Sequence, residues 1–194
     1  MSPTNLRESV RAAYSAVAER PDARHPFPAG RAFAESLGYP SDWLDRIPAA
    51  SVEAFTGVTN LAAAAEIPPG ARVLDLGCGA GLDALLLAQR LKSSGMVLGL
   101  DFSSPMLAHA RRSAAEMGLG NLDFCQADAE RLPLAAASLD AAIVNGIFNL
   151  NPARQAIFRE LARAMRPGGR LYSSELILRE PHPAAESQPS DWFA

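Results

Sequence analysis

The chain has 194 residues, 48% of them apolar, and a formal net charge of −3, typical of one globular domain with extensions. It has no basic cluster, no long apolar run and no signal-like start, which argues against binding to nucleic acid or membrane and against secretion. Two cysteines and three scattered histidines predict a cytoplasmic protein with no disulfide framework and no metal site.

Residues 1–66 are predicted to form a helical extension and a linker. The segment 5–19 places apolar side chains on one helical face, which indicates an amphipathic helix. Three prolines and a glycine within residues 20–30 then indicate a linker. Two short helices are expected after it, at 31–37 and 41–46.

Residues 67–180 have the pattern of an α/β domain, followed by a Pro-rich tail at 181–194. Short β-like runs occur at 72–77, 96–101, 122–127, 139–146 and 170–178, and helical segments at 82–92, 104–118 and 152–165. The last helix is expected to stop at the break formed by Pro167, Gly168 and Gly169. This alternation predicts an open parallel sheet, which binds ligands beyond the carboxyl ends of its strands.

The segment VLDLGCGAG, residues 73–81, is a glycine-rich turn between the first strand and a helix. Glycines there allow the backbone to approach a ligand closely. The spacing is G-x-G-x-G rather than the G-x-G-x-x-G of dinucleotide-binding proteins. Asp75 precedes the first glycine, and its carboxylate would repel a pyrophosphate but pair with an ammonium group. The turn therefore favours a cationic cofactor over NAD.

Asp101 closes the second strand, 20 residues after Gly81, where an acid can accept both hydroxyls of a ribose. A third acid, Asp128, follows the next strand and can accept from an adenine amino group. A site for a ribose, an adenine and an amino acid, without phosphate, fits S-adenosylmethionine (SAM). Cys78 is interpreted as a small packing residue of the turn, and Cys125 as a core residue of the third strand.

The region 72–178 resembles the class I SAM-dependent methyltransferases, through VLDLGCGAG, LDFSSPMLAHAR, QADAERLPL, and LDAAIVNG followed by RELARAMRPGGRL. The resemblance implies their Rossmann-like fold and SAM as cofactor. It also implies the cofactor-lining residues. The methionine part is expected at Asp75, Gly77, Cys78, Gly79 and Gly81, the ribose at Asp101, the adenine at Phe102, Met106, Asp128, Ala129 and Glu130, and the methyl group near Asn145. For Met106, plain helix packing is an equally good interpretation.

A narrower resemblance, to the arsenite methyltransferases, rests on LGYPSDWLDRIPAASVEAF and NGIFNLNPARQAIFRELARAMRPGGRL. In that family a cysteine after the fourth strand binds arsenic, but Gly146 stands at this position, and the segment 54–60 has no cysteine either. The resemblance thus implies a small-molecule methyl acceptor but not arsenite itself. The expected acceptor-binding residues are Tyr14, Gly146 and Asn149, and no catalytic residue is assigned.

Two alternatives stay open at this point. One is a C- or O-methyltransferase acting on a quinone-like or secondary metabolite, and the other is a truncated SAM-binding protein without turnover. The resemblance also implies a C-terminal hairpin for which no strand pattern is found after residue 178. The fifth strand would then be an exposed sheet edge, through which the chain is expected to self-associate.

Overall fold

The computed structural model describes residues 3–21 and 23–177 of the chain. The described part of the N-terminal third holds five helices: α1 (Pro3–Glu19), α2 (Arg31–Ser36), α3 (Ser41–Leu44), α4 (Ala49–Glu53) and α5 (Leu61–Ala64). Strands and helices then alternate as β1 (Arg72–Leu76), α6 (Leu82–Leu91), β2 (Met96–Asp101), α7 (Ser104–Glu116), β3 (Leu122–Gln126), β4 (Leu139–Asn145), α8 (Arg154–Ala164) and β5 (Met165–Ser174). Short 3₁₀ turns occupy Lys92–Ser94 and Phe148–Leu150.

The five strands form one parallel sheet in the order β3-β2-β1-β4-β5. The predicted open parallel sheet is therefore confirmed. The chain order reverses between β1 and β4, so the crevice between their carboxyl ends is where such a sheet binds ligands. Apolar clusters cover both faces: α6 packs over Val73 and Ile143 on one face, and α8 over Leu74 and Leu76 on the other.

The fifth strand begins earlier than predicted. It starts at Met165, directly after α8, and continues through the Pro-Gly-Gly segment that was expected to be a break. Leu139 of β4 pairs with Met165, whereas Ala141 pairs with Arg170, so most of the residues between the two β5 positions bulge out of the ladder. Such a bulge accommodates proline and glycine without ending the strand.

Helix α1 lies against α7 and the carboxyl ends of the strands. Its residues Val17 and Ala18 are buried in a cluster with Met106 of α7. The hydroxyl groups of Ser15 and Ser103 are 2.9 Å apart, and Nε2 of His109 is 2.9 Å from the carbonyl oxygen of Ala18. These contacts place α1 over the ligand-binding edge of the sheet.

Cys125 was expected in the core, but it is only partly buried because β3 is an edge strand among the described residues. In the part of the chain that the structure describes, none of the helices has the length and apolar character needed to cross a membrane.

Candidate active site

A cavity of about 530 Å³ lies at the carboxyl ends of β1, β2, β3 and β4, a volume in the usual range for small-molecule sites. Its floor is formed by the strand ends and by the β1–α6 turn. Its roof comes from the N-terminal third of the chain, with α1 contributing Arg7, Glu8, Val10, Arg11 and Tyr14, and the α4 region contributing Ser51, Ala54, Phe55, Thr56 and Gly57.

The β1–α6 turn brings mainly backbone to the cavity. Gly77, Cys78 and Gly79 line it, and Gly77 and Gly79 have φ of +75° and +53°. A Cβ on Gly77 would lie 2.3 Å from Cγ2 of Ile147, and one on Gly79 would project into open space. Glycine is required here by backbone conformation and by close approach. The turn is thus a cradle that a ligand can contact directly.

Gly81 has a different place from the one expected. It does not belong to the cavity lining; it is the N-cap of α6, with φ of +88°. A Cβ at this position would lie 3.0 Å from Cβ of Ala110 and 3.1 Å from the ring of Phe124. Gly81 therefore allows α6 to begin close to α7 and β3.

Asp75 carries a buried carboxylate on the cavity wall. Its side chain is 2% exposed, and its Oδ2 has no hydrogen-bond partner among the described residues. Burial, together with the nearby carboxylates of Asp83 and Asp101, raises the pKa of Asp75 well above the usual carboxyl value. A buried carboxylate oxygen without a donor favours a cationic ligand, and the α-ammonium group of SAM supplies one.

Asp101 is held in place by backbone donors. Its Oδ1 accepts from Ser103 N at 2.7 Å and its Oδ2 from Gly79 N at 2.8 Å. Burial raises the pKa of this carboxyl, while hydrogen bonds from Ser103, Gly79 and Phe102 oppose the rise. Each oxygen keeps further lone pairs, so the fixed carboxylate on the cavity wall suits the two hydroxyls of a ribose.

Cys78 is buried in the turn beside both carboxylates. Burial, Asp75 and Asp101 raise the pKa of its thiol well above the ordinary value. The thiolate is the reactive form of cysteine, so this environment disfavours a nucleophile. The structure thus places Cys78 as a small packing side chain on the cavity wall.

The two residues expected beside the adenine, Phe102 and Met106, both line the cavity. Met106 is 1% exposed and packs against Val17, so it also serves as a core residue under α1. The guanidinium of Arg11 lies 5.6 Å from the centroid of the Phe102 ring, within cation–π range. Through this contact α1 also meets the Phe102 side of the cavity.

The acids after β3 are paired with an arginine of α1. Asp128 and Ala129 line the cavity, but Asp128 accepts from Arg7 at 2.5 Å. Glu130, expected at the adenine edge, does not belong to the lining and forms an ion pair with Arg7 at 3.1 Å. Sequence reasoning missed Arg7 because its pairing with Asp128 joins positions 121 residues apart.

Asn145 lines the cavity at the end of β4, yet its amide is fully engaged by protein groups. Its Oδ1 accepts from the N–H groups of Val58 and Thr59, and its Nδ2 donates to Thr59 O and to Oδ2 of Asp83. Asp83, which sequence reasoning did not single out, is buried and also lines the cavity. Its position in the first turn of α6, an ordinary place for an acid, carried no functional signal.

Of the three residues expected to bind the acceptor, the structure brings Tyr14 and Gly146 to the cavity but not Asn149. Tyr14 stacks on Phe27 with ring centroids 4.6 Å apart, and burial together with Asp101 and Glu175 raises the pKa of its hydroxyl. Asn149 instead donates through its side chain to the carbonyl of Leu176, and its N–H donates to Glu175. It therefore helps to anchor the segment after β5.

Comparison with known proteins gives a consistent picture. A family model described as a methyltransferase domain matches residues 67–192. An arsenite methyltransferase of Halobacterium salinarum is 36% identical over 149 residues, which cover 77% of this chain and 38% of that protein. A 2-phytyl-1,4-naphtoquinone methyltransferase of Thermosynechococcus vestitus is 35% identical over 129 residues, covering 66% and 55% of the two chains.

Among solved structures, the [4+2]-cyclase SpnF superposes with a TM-score of 0.65 at 28% identity, covering 89% of this chain and 61% of that one. The chain spans less than half the length of the arsenite methyltransferase relative and just over half that of the naphtoquinone methyltransferase.

Proposed function

Since the chain belongs to the class I SAM-dependent methyltransferases, we propose that it transfers a methyl group from SAM to a small, largely apolar organic molecule. The observation that carries the proposal is the cavity itself. It joins a glycine cradle and the unpartnered carboxylate oxygen of Asp75 on one side to an apolar wall on the other.

The hydrogen-bonding groups in one part of the cavity suit the polar groups of SAM. When bound, SAM supplies an electrophilic methyl group on a sulfonium. Asp75 would bind its ammonium group, the backbone of Gly77 and Gly79 would contact the methionine part, and Asp101 would accept from the ribose. Phe102 and Met106 would flank the adenine.

The acceptor part is formed by apolar and aromatic side chains. Tyr14, Phe55, Ile147 and Leu150 line the cavity beside the glycine at position 146. Such a wall suits a carbon-based acceptor better than an inorganic oxyanion. The chain's contribution to the reaction is then to orient the acceptor and, with α1 and residues 51–57, to exclude water.

Arsenite is a poor match for this wall. The two cysteines of the chain are Cys78, buried in the glycine turn, and Cys125, on the edge strand β3. Gly146 occupies the position where the resembling family has an arsenic-binding cysteine, and glycine offers no sulfur. The relatedness to arsenite methyltransferases therefore supports the family and the fold rather than arsenite as the acceptor.

A second candidate is a SAM-binding protein that catalyses a reaction other than methyl transfer. The superposition with SpnF favours it, since that neighbour is described as a [4+2]-cyclase. The two candidates share the cofactor part of the cavity. They differ in whether S-adenosylhomocysteine is released when an acceptor is present.

Titration calorimetry and a turnover assay test both candidates. We expect the chain to bind SAM and S-adenosylhomocysteine but not NAD. With a panel of quinols, phenols and enolisable ketones, we expect S-adenosylhomocysteine release that depends on the acceptor. SAM binding without release on any acceptor would favour the second candidate, and binding of NAD in preference to SAM would contradict both.

A further inference from the structure

A buried network joins Tyr39, Asp83 and Asn145 beneath the cavity. Oδ1 of Asp83 accepts from the Tyr39 hydroxyl at 2.7 Å and from Ala62 N at 3.2 Å, and its Oδ2 accepts from Nδ2 of Asn145 at 2.9 Å. The side chain is 5% exposed, and the ion pairs of the described residues do not include it. Three donors face this carboxylate, and their hydrogen bonds favour its ionised form, whereas burial raises the pKa of Asp83 above its usual value.

Asp83 determines which way the Asn145 amide points. A carboxylate can only accept, so the NH₂ group of Asn145 must face it, and the amide oxygen must face the opposite side. On that side the oxygen accepts from Val58 N at 2.8 Å and from Thr59 N at 3.3 Å. Nδ2 also donates to Thr59 O at 2.8 Å, so one amide binds three backbone groups of the same loop.

The loop held in this way, residues 56–59, forms part of the cavity roof through Thr56 and Gly57. Gly57 is buried, and a Cβ there would lie 2.6 Å from Nδ2 of Asn145 and 2.8 Å from the ring of Phe55. The loop thus packs directly on the Asn145 amide. Any rotation of that amide would remove acceptors from two N–H groups of the roof.

We propose that Asp83 is a positioning residue for methyl transfer: by orienting Asn145 it fixes the 56–59 loop against the acceptor part of the cavity. The proposal rests on the proposed function for the identity of the reaction. It assigns no contact between Asp83 and the acceptor. Tyr39 donates to the other oxygen of the same carboxylate, Oδ1, and its hydroxyl is also 3.1 Å from Thr59 O.

The test exchanges the side chains of Asp83 and Asn145. In Asp83→Asn, an NH₂ group would oppose the NH₂ group of Asn145, so the amide must rotate and release the loop. In the double variant Asp83→Asn with Asn145→Asp, a donor and an acceptor face each other again, with the direction reversed, and Val58 N and Thr59 N recover a carboxylate. Thr59 O loses the donor that Nδ2 of Asn145 supplied, so the rescue is partial. Asp123→Asn, an exposed acid on β3, is the matched control.

Hydrogen exchange at residues 57–60 is the primary measurement. We expect Asp83→Asn to accelerate exchange about tenfold or more, with SAM affinity changed by less than about threefold. For any acceptor found in the panel, KM should rise while the KM for SAM stays constant. The double variant should recover part of the loss in both values, because the contact with Thr59 O is not restored, and Tyr39→Phe should give a smaller change than Asp83→Asn in the same direction.

Unchanged exchange in Asp83→Asn would overturn the proposal. The proposal would also be overturned if Asp83→Asn lost SAM binding as well as loop protection and the double variant recovered neither. Asp83 would then be needed for the fold in general and not for the loop in particular. If no acceptor is methylated by the wild type, the proposed function fails, but the exchange and rescue measurements still decide whether Asp83 orients the loop.

Discussion

At the scale of one residue, the buried carboxyl group of Asp75 favours a cationic ligand in the cavity. Its Oδ2 lacks a donor among the described residues, and the carboxylates of Asp83 and Asp101 lie near enough to oppose its ionisation. A cation in the cavity would reverse that balance. We therefore expect the titration of Asp75 to be coupled to the binding of SAM.

We expect SAM binding to release protons through Asp75. Without ligand, burial and the neighbouring acids raise the pKa of its carboxyl, and an ammonium group lowers it again. Affinity for SAM should thus weaken as the pH falls through the raised pKa, where the proton competes with the ligand. Calorimetry in buffers of different ionisation enthalpy measures the released protons. No release at any pH in the wild type would contradict the expectation, and Asp75→Asn serves as the proton-silent control.

Asp101→Ala should weaken SAM binding by about 1.5–3 kcal/mol, the usual contribution of hydrogen bonds to a charged group. The variant also removes the acceptor of the Gly79 N–H, so part of the loss comes from the turn. Asp123→Ala, an exposed acid on the neighbouring strand β3, is the control and should bind as the wild type does. Equal affinities for all three proteins, measured by calorimetry, would remove Asp101 from the site.

An assay with arsenite tests whether the glycine at position 146 prevents arsenic methylation. We expect little or no methylarsenical from arsenite, SAM and a reducing thiol, because glycine supplies no sulfur. Gly146→Cys is an informative but demanding variant, since Gly146 has φ of +84° and a Cβ there would lie 3.1 Å from Cγ1 of Val58. Efficient turnover by the wild type would show that the missing thiol is not required.

At the scale of elements, the sequence pattern predicts β1 to β4 to within a residue because their apolar runs are short and bounded by turns. The sequence pattern predicts a start of the fifth strand at residue 170, which is too late. Its proline and glycines lie in a bulge, and only the pairing with β4 shows that the strand continues through it. The amphipathic pattern also predicts α1, yet it cannot say which surface α1 covers. The pairing of Arg7 with Asp128 and Glu130 depends on the tertiary fold and leaves no local signal.

We expect Arg7→Ala to increase the dissociation rate of SAM about twofold to fivefold, which is the effect expected from the loss of partly exposed ion pairs. Arg7 joins α1 to the acids after β3, and its loss should let the roof of the cavity open more often. Arg112→Ala, an exposed arginine of α7, is the matched control. Stopped-flow displacement of SAM measures the rate, and an unchanged rate in Arg7→Ala would argue that α1 is held by its apolar face alone.

At the scale of the whole molecule, β5 pairs with β4 alone among the described residues, which leaves its other side as a sheet edge. The adjoining residues Leu176 and Ile177 are 62% and 85% exposed. An exposed strand edge with apolar neighbours is a surface on which a second chain can pair. This supports the expectation of self-association.

Replacing Leu176 and Ile177 by lysine should shift the chain towards monomer in a concentration series followed by light scattering. Two added charges oppose edge-to-edge pairing. Met96→Lys, which changes an apolar residue that is 44% exposed at the amino end of β2, should leave the distribution unchanged. A wild-type chain that is monomeric at every concentration would contradict the expectation.

The roof and the floor of the cavity come from separate stretches of the sequence, and this has a consequence for how specificity can be changed. The strand ends and the glycine turn carry the groups suited to the cofactor, whereas α1 and residues 51–57 shape the space beside them. Grafting the first 66 residues of a related methyltransferase onto this sheet should therefore exchange the accepted molecule while SAM binding is retained. Such a graft would have to keep the contacts that join the two halves, which are those of the 56–59 loop with Asn145, of Tyr39 with Asp83 and of Arg7 with Asp128.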